Sequence, residues 1–226
     1  MISFDTGSVR YSSYKLHRIM HTLALISQKG GAGKTTLAVN LAAYAYTQGQ
    51  SVAIADIDAQ ASSCVWFDAR EADDISVVSC QPARLKAVLD AAQDECDLCI
   101  IDTSPNSESA TLAAARVADF ALIPCRPSLQ DIEAIRMTIE LVTIAQTPSG
   151  IVVNATKNKS IAHDATTAVS TLGLPIAPVT IGDRVGFSHA FTSGLGICEY
   201  EPSNKGSNEI QTLYKWVMKQ INTTTL

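Results

Sequence analysis

The chain has 226 residues and a formal net charge of −5, from 17 basic and 22 acidic side chains. With 46% hydrophobic and 17% charged residues the composition is globular, which excludes a disordered chain, and only 12 glycines and 8 prolines exclude a collagen-like or linker-dominated one. The acidic excess excludes a uniformly basic nucleic-acid coat, yet residues 22–150 carry sixteen acids against eight bases while residues 151–226 carry five against six, so an anion-attracting surface is expected in the last third.

Residues 1–21 hold three bases and one acid. They lack the apolar stretch of a secretory leader and show no clear period. They are expected to form an arm, with a short helix near 14–20. No apolar stretch approaches the ~20 residues of a membrane span, so a cytoplasmic protein with no membrane contact is expected. The six cysteines sit mostly in apolar runs, as Cys64, Cys80, Cys96, Cys99, Cys125 and Cys198, and read as free thiols of a reducing compartment. Cys96 and Cys99 make a C-x-x-C, but on a strand and without a second pair or nearby His, so no metal or redox site is expected.

From residue 22 onward short apolar runs alternate with amphipathic stretches. Strands are expected at 22–27, 51–56, 75–79, 98–102, 120–124, 150–154 and 176–181. Helices are expected at 35–47, 83–92, 107–117, 129–145 and 161–172, with a closing helix at 211–221 whose Leu213, Trp216, Val217 and Ile221 share a face. Continuous apolar strands alternating with helices predict one α/β domain over residues 22–226, whose mostly parallel, twisted sheet carries helices on both faces.

The first strand runs into Ser27-Gln28-Lys29-Gly30-Gly31-Ala32-Gly33-Lys34-Thr35-Thr36, and a helix opens directly after it. That is the setting of a phosphate loop: glycines turn backbone N–H groups inward, and the helix N-terminus adds positive potential. Lys34 is expected to reach the β- and γ-phosphates, and the Thr35 hydroxyl to ligate Mg²⁺. The common template places its first glycine where this chain has Gln28, and a second lysine, Lys29, stands before Gly30. Two further strands end in acids, at Asp56-Ile57-Asp58-Ala59-Gln60 and at Asp102. Carboxylates at the carboxyl ends of parallel strands sit where ligands bind in open α/β sheets. Asp102 reads as the Walker B acid that holds Mg²⁺ through water.

The segment from Lys29 to Thr36 resembles the ParA/MinD family of deviant Walker A ATPases, and the small ParA-type plasmid partition proteins within it. The resemblance extends over about residues 22–220. It implies ATP and Mg²⁺ as cofactors, held by Lys29, Gly30, Gly31, Ala32, Gly33, Lys34, Thr35 and Thr36, with Asn154 at the adenine. It implies a single-domain P-loop NTPase fold. It implies that Lys29, Lys34 and Asp58 serve catalysis, Lys29 by crossing a homodimer interface to the other subunit's phosphates. Asp58 would orient or deprotonate the attacking water, with Gln60 the next candidate, while Asp56 and Asp102 serve the metal. The family pattern D-x-D-P-Q departs here at Ala59. Thr103-Ser104-Pro105 resembles the γ-phosphate switch, and the segment from Cys125 to Asp131 resembles part of the dimer face. The implied partners are a second copy, nonspecific DNA in the ATP state, and a ParB-like centromere-binding adaptor that stimulates hydrolysis on the nucleoid. Candidate DNA contacts are Arg184, Lys205, Lys215 and Lys219. The alternative is a MinD-like ATPase positioning a membrane or protein complex, which calls for a basic amphipathic tail; residues 221–226 are polar and uncharged. A reductase of the nitrogenase-iron-protein kind would need paired cysteines after the Walker B strand, and a dethiobiotin-synthetase-like ligase would not share Lys29.

Overall fold

A computed structural model describes residues 20–224. The expected arm, with its helix near 14–20, falls outside the described residues up to position 19. Six strands form one sheet: β1 (His21–Leu25), β2 (Val52–Asp56), β3 (Ile75–Ser79), β4 (Leu98–Asp102), β5 (Phe120–Cys125) and β6 (Ser149–Val153), in the order β3-β2-β4-β1-β5-β6. Every neighbouring pair is parallel. β4 and β5 flank β1 on opposite sides, so the strand order reverses at β1. In open α/β sheets that reversal opens a crevice at the carboxyl ends of the strands.

Side-chain alternation sorts the core into two halves. One face of the sheet carries Leu23, Leu25, Val52, Ile54, Leu98 and Ile100, and is covered by α1 (Lys34–Thr47), α2 (Ser62–Asp68), α7 (Val185–Thr192), α8 (Ile197–Tyr200) and α9 (Lys205–Thr224). The other carries Ala24, Ile26, Ala55, Ile101 and Ile123. It is covered by α3 (Leu85–Ala92), α4 (Glu108–Ala115), α5 (Leu129–Ile144) and α6 (Lys159–Ser170). Helix α1 is buried along most of its length, from Leu37 to Ala45. A run of alanines there lets it lie close to the sheet beneath α9, and a helix buried on every side needs no polar face.

The helices expected from periodicity are present, with ends shifted by a few residues. The closing helix is longer than expected, and α2 and α8 are too short to leave a periodic signal. The strand expected at 176–181 does not form. That segment makes only two isolated parallel bridges, Ile151 with Ile176 and Thr156 with Gly182. Pro175 and Pro178 explain the difference, because proline offers no N–H to a ladder.

Candidate nucleotide-binding site

The loop between β1 and α1 is tied down at its start. Gln28 is buried; its backbone N–H donates to Thr138 Oγ1 at 3.2 Å, and its side-chain Nε2 donates to Thr111 Oγ1 at 3.0 Å. The residue that replaces the template's first glycine therefore fastens the loop to α4 and α5. Gly31 and Gly33 adopt left-handed backbone at φ 73° and 94°, the conformation that favours glycine. The Asn154 amide leaves no room for a Cβ at Gly33. Lys34 is buried, and its Nζ donates back to Ser27 O at 3.1 Å and Lys29 O at 3.4 Å. Burial lowers the pKa of that amine, against the pull of Asp102 and Asp58.

The acids meet because of strand register. Asp56 and Asp102 are paired across β2 and β4, and both have the parity of Ile54 and Ile100, so both carboxylates emerge on the α1 and α2 side. Both are fully buried. Asp56 Oδ1 accepts from the Asp58 N–H at 2.9 Å, and Oδ2 from the Ser63 N–H at 2.9 Å. Asp102 Oδ2 accepts from the Ser63 hydroxyl at 2.8 Å, while Oδ1 is buried without a hydrogen-bond partner. Burial pushes the Asp102 carboxyl up to about 7, with Asp56 adding to the shift and Thr35, Ser63 and Lys34 opposing it. Burial also raises Asp56, against its backbone hydrogen bonds.

An orphaned buried carboxylate oxygen beside a threonine hydroxyl and a lysine fits a hard cation. No group of three or more His, Cys, Asp or Glu side chains among the described residues could hold a metal by itself. Such a sparse donor set suits Mg²⁺, which keeps waters and takes its remaining ligands from substrate phosphates. Cys96 and Cys99 are both buried; burial pushes the Cys99 thiol up to about 12, and Cys96 Sγ packs 3.4 Å from Met20 Sδ.

Comparison with known proteins agrees with this geometry. The profile of the CobQ/CobB/MinD/ParA nucleotide-binding domain matches residues 23–197. The chain belongs to the ParA/MinD family. Family membership makes it a P-loop ATPase. It is 30% identical to the maintenance of carboxysome distribution protein A of Halothiobacillus neapolitanus, over 78% of this chain and 86% of that one. It is 24% identical to the chromosome-partitioning ATPase Soj of Thermus thermophilus, over 88% and 96%. The fold is that of the septum site-determining protein MinD of Pyrococcus horikoshii, solved with Mg-ADP, at a TM-score of 0.79 and 16% identity over 91% of this chain and 99% of that one.

Within this ParA/MinD-type site Asp58 is half-buried at the mouth of a cleft of about 350 Å³ that Ser79, Cys80 and Pro82 also line. Its Oδ1 accepts from the Gln60 N–H at 3.0 Å, while Ala59 and Gln60 are exposed. Thr103 Oγ1 donates to Leu25 O at 2.7 Å, pinning the exit of β4 to β1. Lys29 is half-buried. Asn154, expected at the adenine, is buried, and its side-chain amide donates to Ala32 O at 2.7 Å, which braces the phosphate loop.

The candidate DNA residues divide. Lys205, Lys215 and Lys219 are all exposed on α9. At 100° per residue they fall within an arc of about 80°, spread over about 21 Å of helix. Arg184 does not join them. Its guanidinium is paired with Glu209, and its Nε is buried without a partner.

Gln28 and Ser63 carry much of this site, and reading the sequence misses both. A long amide at a template glycine is the available sign for Gln28. Ser63 shows none, because its role comes from the seating of α2. Arg126, within the segment expected at the dimer face, is exposed, and its guanidinium lies beside Gly31.

Proposed function

We propose that this ATPase is a ParA-type positioning switch. It binds Mg-ATP, dimerises around it, holds DNA without sequence preference in that state, and lets go when a ParB-like adaptor stimulates hydrolysis. The observation that carries the DNA reading is the single exposed face formed by Lys205, Lys215 and Lys219 on α9. In an acidic chain this face lies far along the sequence from the acid-rich middle, and dimerisation doubles it. The names of the relatives, chromosome partitioning and carboxysome distribution, both concern the placement of a large object and support the same reading.

The chain's own residues take these parts. Loop N–H groups between Gly30 and Thr36 cradle the phosphates, and Lys34 neutralises them at close range. Thr35 and Asp102 would hold Mg²⁺, with Asp56 in support, and the ion would supply positive charge at the phosphate oxygens. Asp58 orients the attacking water. Lys29 reaches the partner's phosphates, so its charge is used only in the closed dimer.

Among the described residues α9 leaves no free apolar face for a membrane surface. Ile210, Leu213, Val217 and Ile221 are all buried against the sheet and α1. No helix among the described residues is long and apolar enough to cross a membrane.

The deciding experiment is binding of a labelled DNA duplex at several salt concentrations with ATP, ADP or no nucleotide. Binding is expected with ATP alone. Each phosphate that a cation neutralises steepens the log–log salt slope by roughly 0.9, so Lys215→Ala should flatten it by about two in a dimer. Equal affinity in the ADP and ATP states, or no binding at low salt, would overturn the reading.

A further inference from the structure

Ser63, the second residue of α2, is fully buried and bonded to both acids of the metal site. Its N–H donates to Asp56 Oδ2 at 2.9 Å and its hydroxyl to Asp102 Oδ2 at 2.8 Å. With Asp56 Oδ1 taken by the Asp58 N–H, three of the four carboxylate oxygens of the pair are spoken for. The fourth, Asp102 Oδ1, is buried and unpartnered, on a carboxylate next to Thr35. The torsion that swings an aspartate carboxylate is broad and roughly two-fold. Without the hydroxyl, Asp102 could turn either oxygen to Thr35, or settle between the two.

We propose that Ser63 is the positioning residue of the Mg²⁺ site: its hydroxyl locks the Asp102 carboxylate so that Oδ1 is presented to the cation beside Thr35. The inference rests on the Mg-ATP reading above and adds to it a residue from outside the phosphate loop and the acid motifs. Partners that orient a ligating carboxylate typically set metal affinity by about 10–100-fold. Because Ser63 belongs to α2, that helix must stay seated for the cation to be held well. Its seat is made by Trp66 Nε1 donating to Leu195 O at 3.2 Å, and by Arg70, which donates to Gly194 O at 2.8 Å.

The test is a Mg²⁺ titration of the binding of a fluorescent ATP analogue to the full chain, with a matched measurement in EDTA. Direct Mn²⁺ binding by electron paramagnetic resonance reads the site without turnover. Ser63→Ala is expected to raise the half-saturating Mg²⁺ by about 10-fold or more, and to leave the affinity in EDTA unchanged. Ser63→Cys, close to serine in size but a weak donor, should behave like Ser63→Ala, and it carries the test should the alanine variant fail to fold. Wild-type metal dependence in these variants would overturn the proposal. So would an equal loss of nucleotide affinity with and without metal, the mark of a merely structural role. Wild-type protein that binds nucleotide without regard to Mg²⁺ would instead remove the Mg-ATP reading, and the wild-type arm shows that separately.

Discussion

Burial pushes the Asp102 carboxyl up to about 7, and this has a consequence for stability in the absence of metal. The unfolded chain holds that proton only below about pH 4. Between about pH 4 and 7 the folded state therefore binds a proton that the unfolded state does not, and stability falls as pH rises through this window. Asp102→Asn stays neutral throughout. Its melting temperature relative to wild type, measured in EDTA, should climb by several degrees from pH 5 to pH 8, at about 2–4 °C per kcal/mol for a chain of this size. A constant difference across pH would show that Asp102 is ionised in the folded state from low pH. The same residue scale sets the tolerance of the loop. Gly33→Ala meets both the left-handed φ of 94° and the Asn154 amide. A strain of about 1–3 kcal/mol should weaken nucleotide binding by about 10–100-fold, as measured by equilibrium titration.

At the scale of elements, α2 is the least expected and among the most constrained. Arg70 follows its C-terminal end with a side chain only 2% exposed, paired to Asp74 at 2.6 Å and Glu199 at 2.8 Å, and stacked over Trp66 at 5.2 Å. Removing one member of a buried ionic cluster strands the others. Arg70→Ala should cost about 3 kcal/mol or more in urea unfolding, and Arg70→Lys should recover little, because a point charge cannot serve two carboxylates and a carbonyl at once. A similar constraint governs β6, where Gly150 faces Trp216, Phe120 and the Pro175 carbonyl. Gly150→Ala should cost about 1–3 kcal/mol from overpacking, read in the same unfolding experiment. Periodicity locates six strands and the long helices because each of those segments shows its pattern over several residues. It fails at residues 176–181, where an apolar run looks like a strand but Pro178 within it and Pro175 just before it offer no N–H groups to a ladder. It also fails at α2, where seven residues span too few turns to repeat.

For the whole molecule, the two loop lysines make separable predictions. Lys34 is buried against the loop carbonyls, so Lys34→Ala should abolish nucleotide binding in the monomer. Lys29 is half-buried and assigned to the partner's phosphates, so Lys29→Ala should bind ATP nearly as wild type and fail to dimerise. Sedimentation with a slowly hydrolysed ATP analogue checks both. Dimerisation of Lys29→Ala at the wild-type level would remove the role across the interface.

The glycine-rich loop, the apolar strand that ends in Asp102 and the α/β class are legible in the sequence, because each depends on contiguous residues whose chemistry and spacing are local. The loop needs glycines where the backbone turns, and the strands need unbroken apolar runs. What the tertiary structure decided are the meetings of residues far apart in the chain. Asp56 and Asp102 face the same crevice because β2 and β4 pair in register. Ser63 bridges them because α2 folds back over their ends. Asn154 meets the loop at Ala32, and Arg184 pairs with Glu209, because the fold brings each a partner from another part of the chain. Burial and hydrogen-bond pairing of that kind depend on how the layers stack, and no local pattern records it.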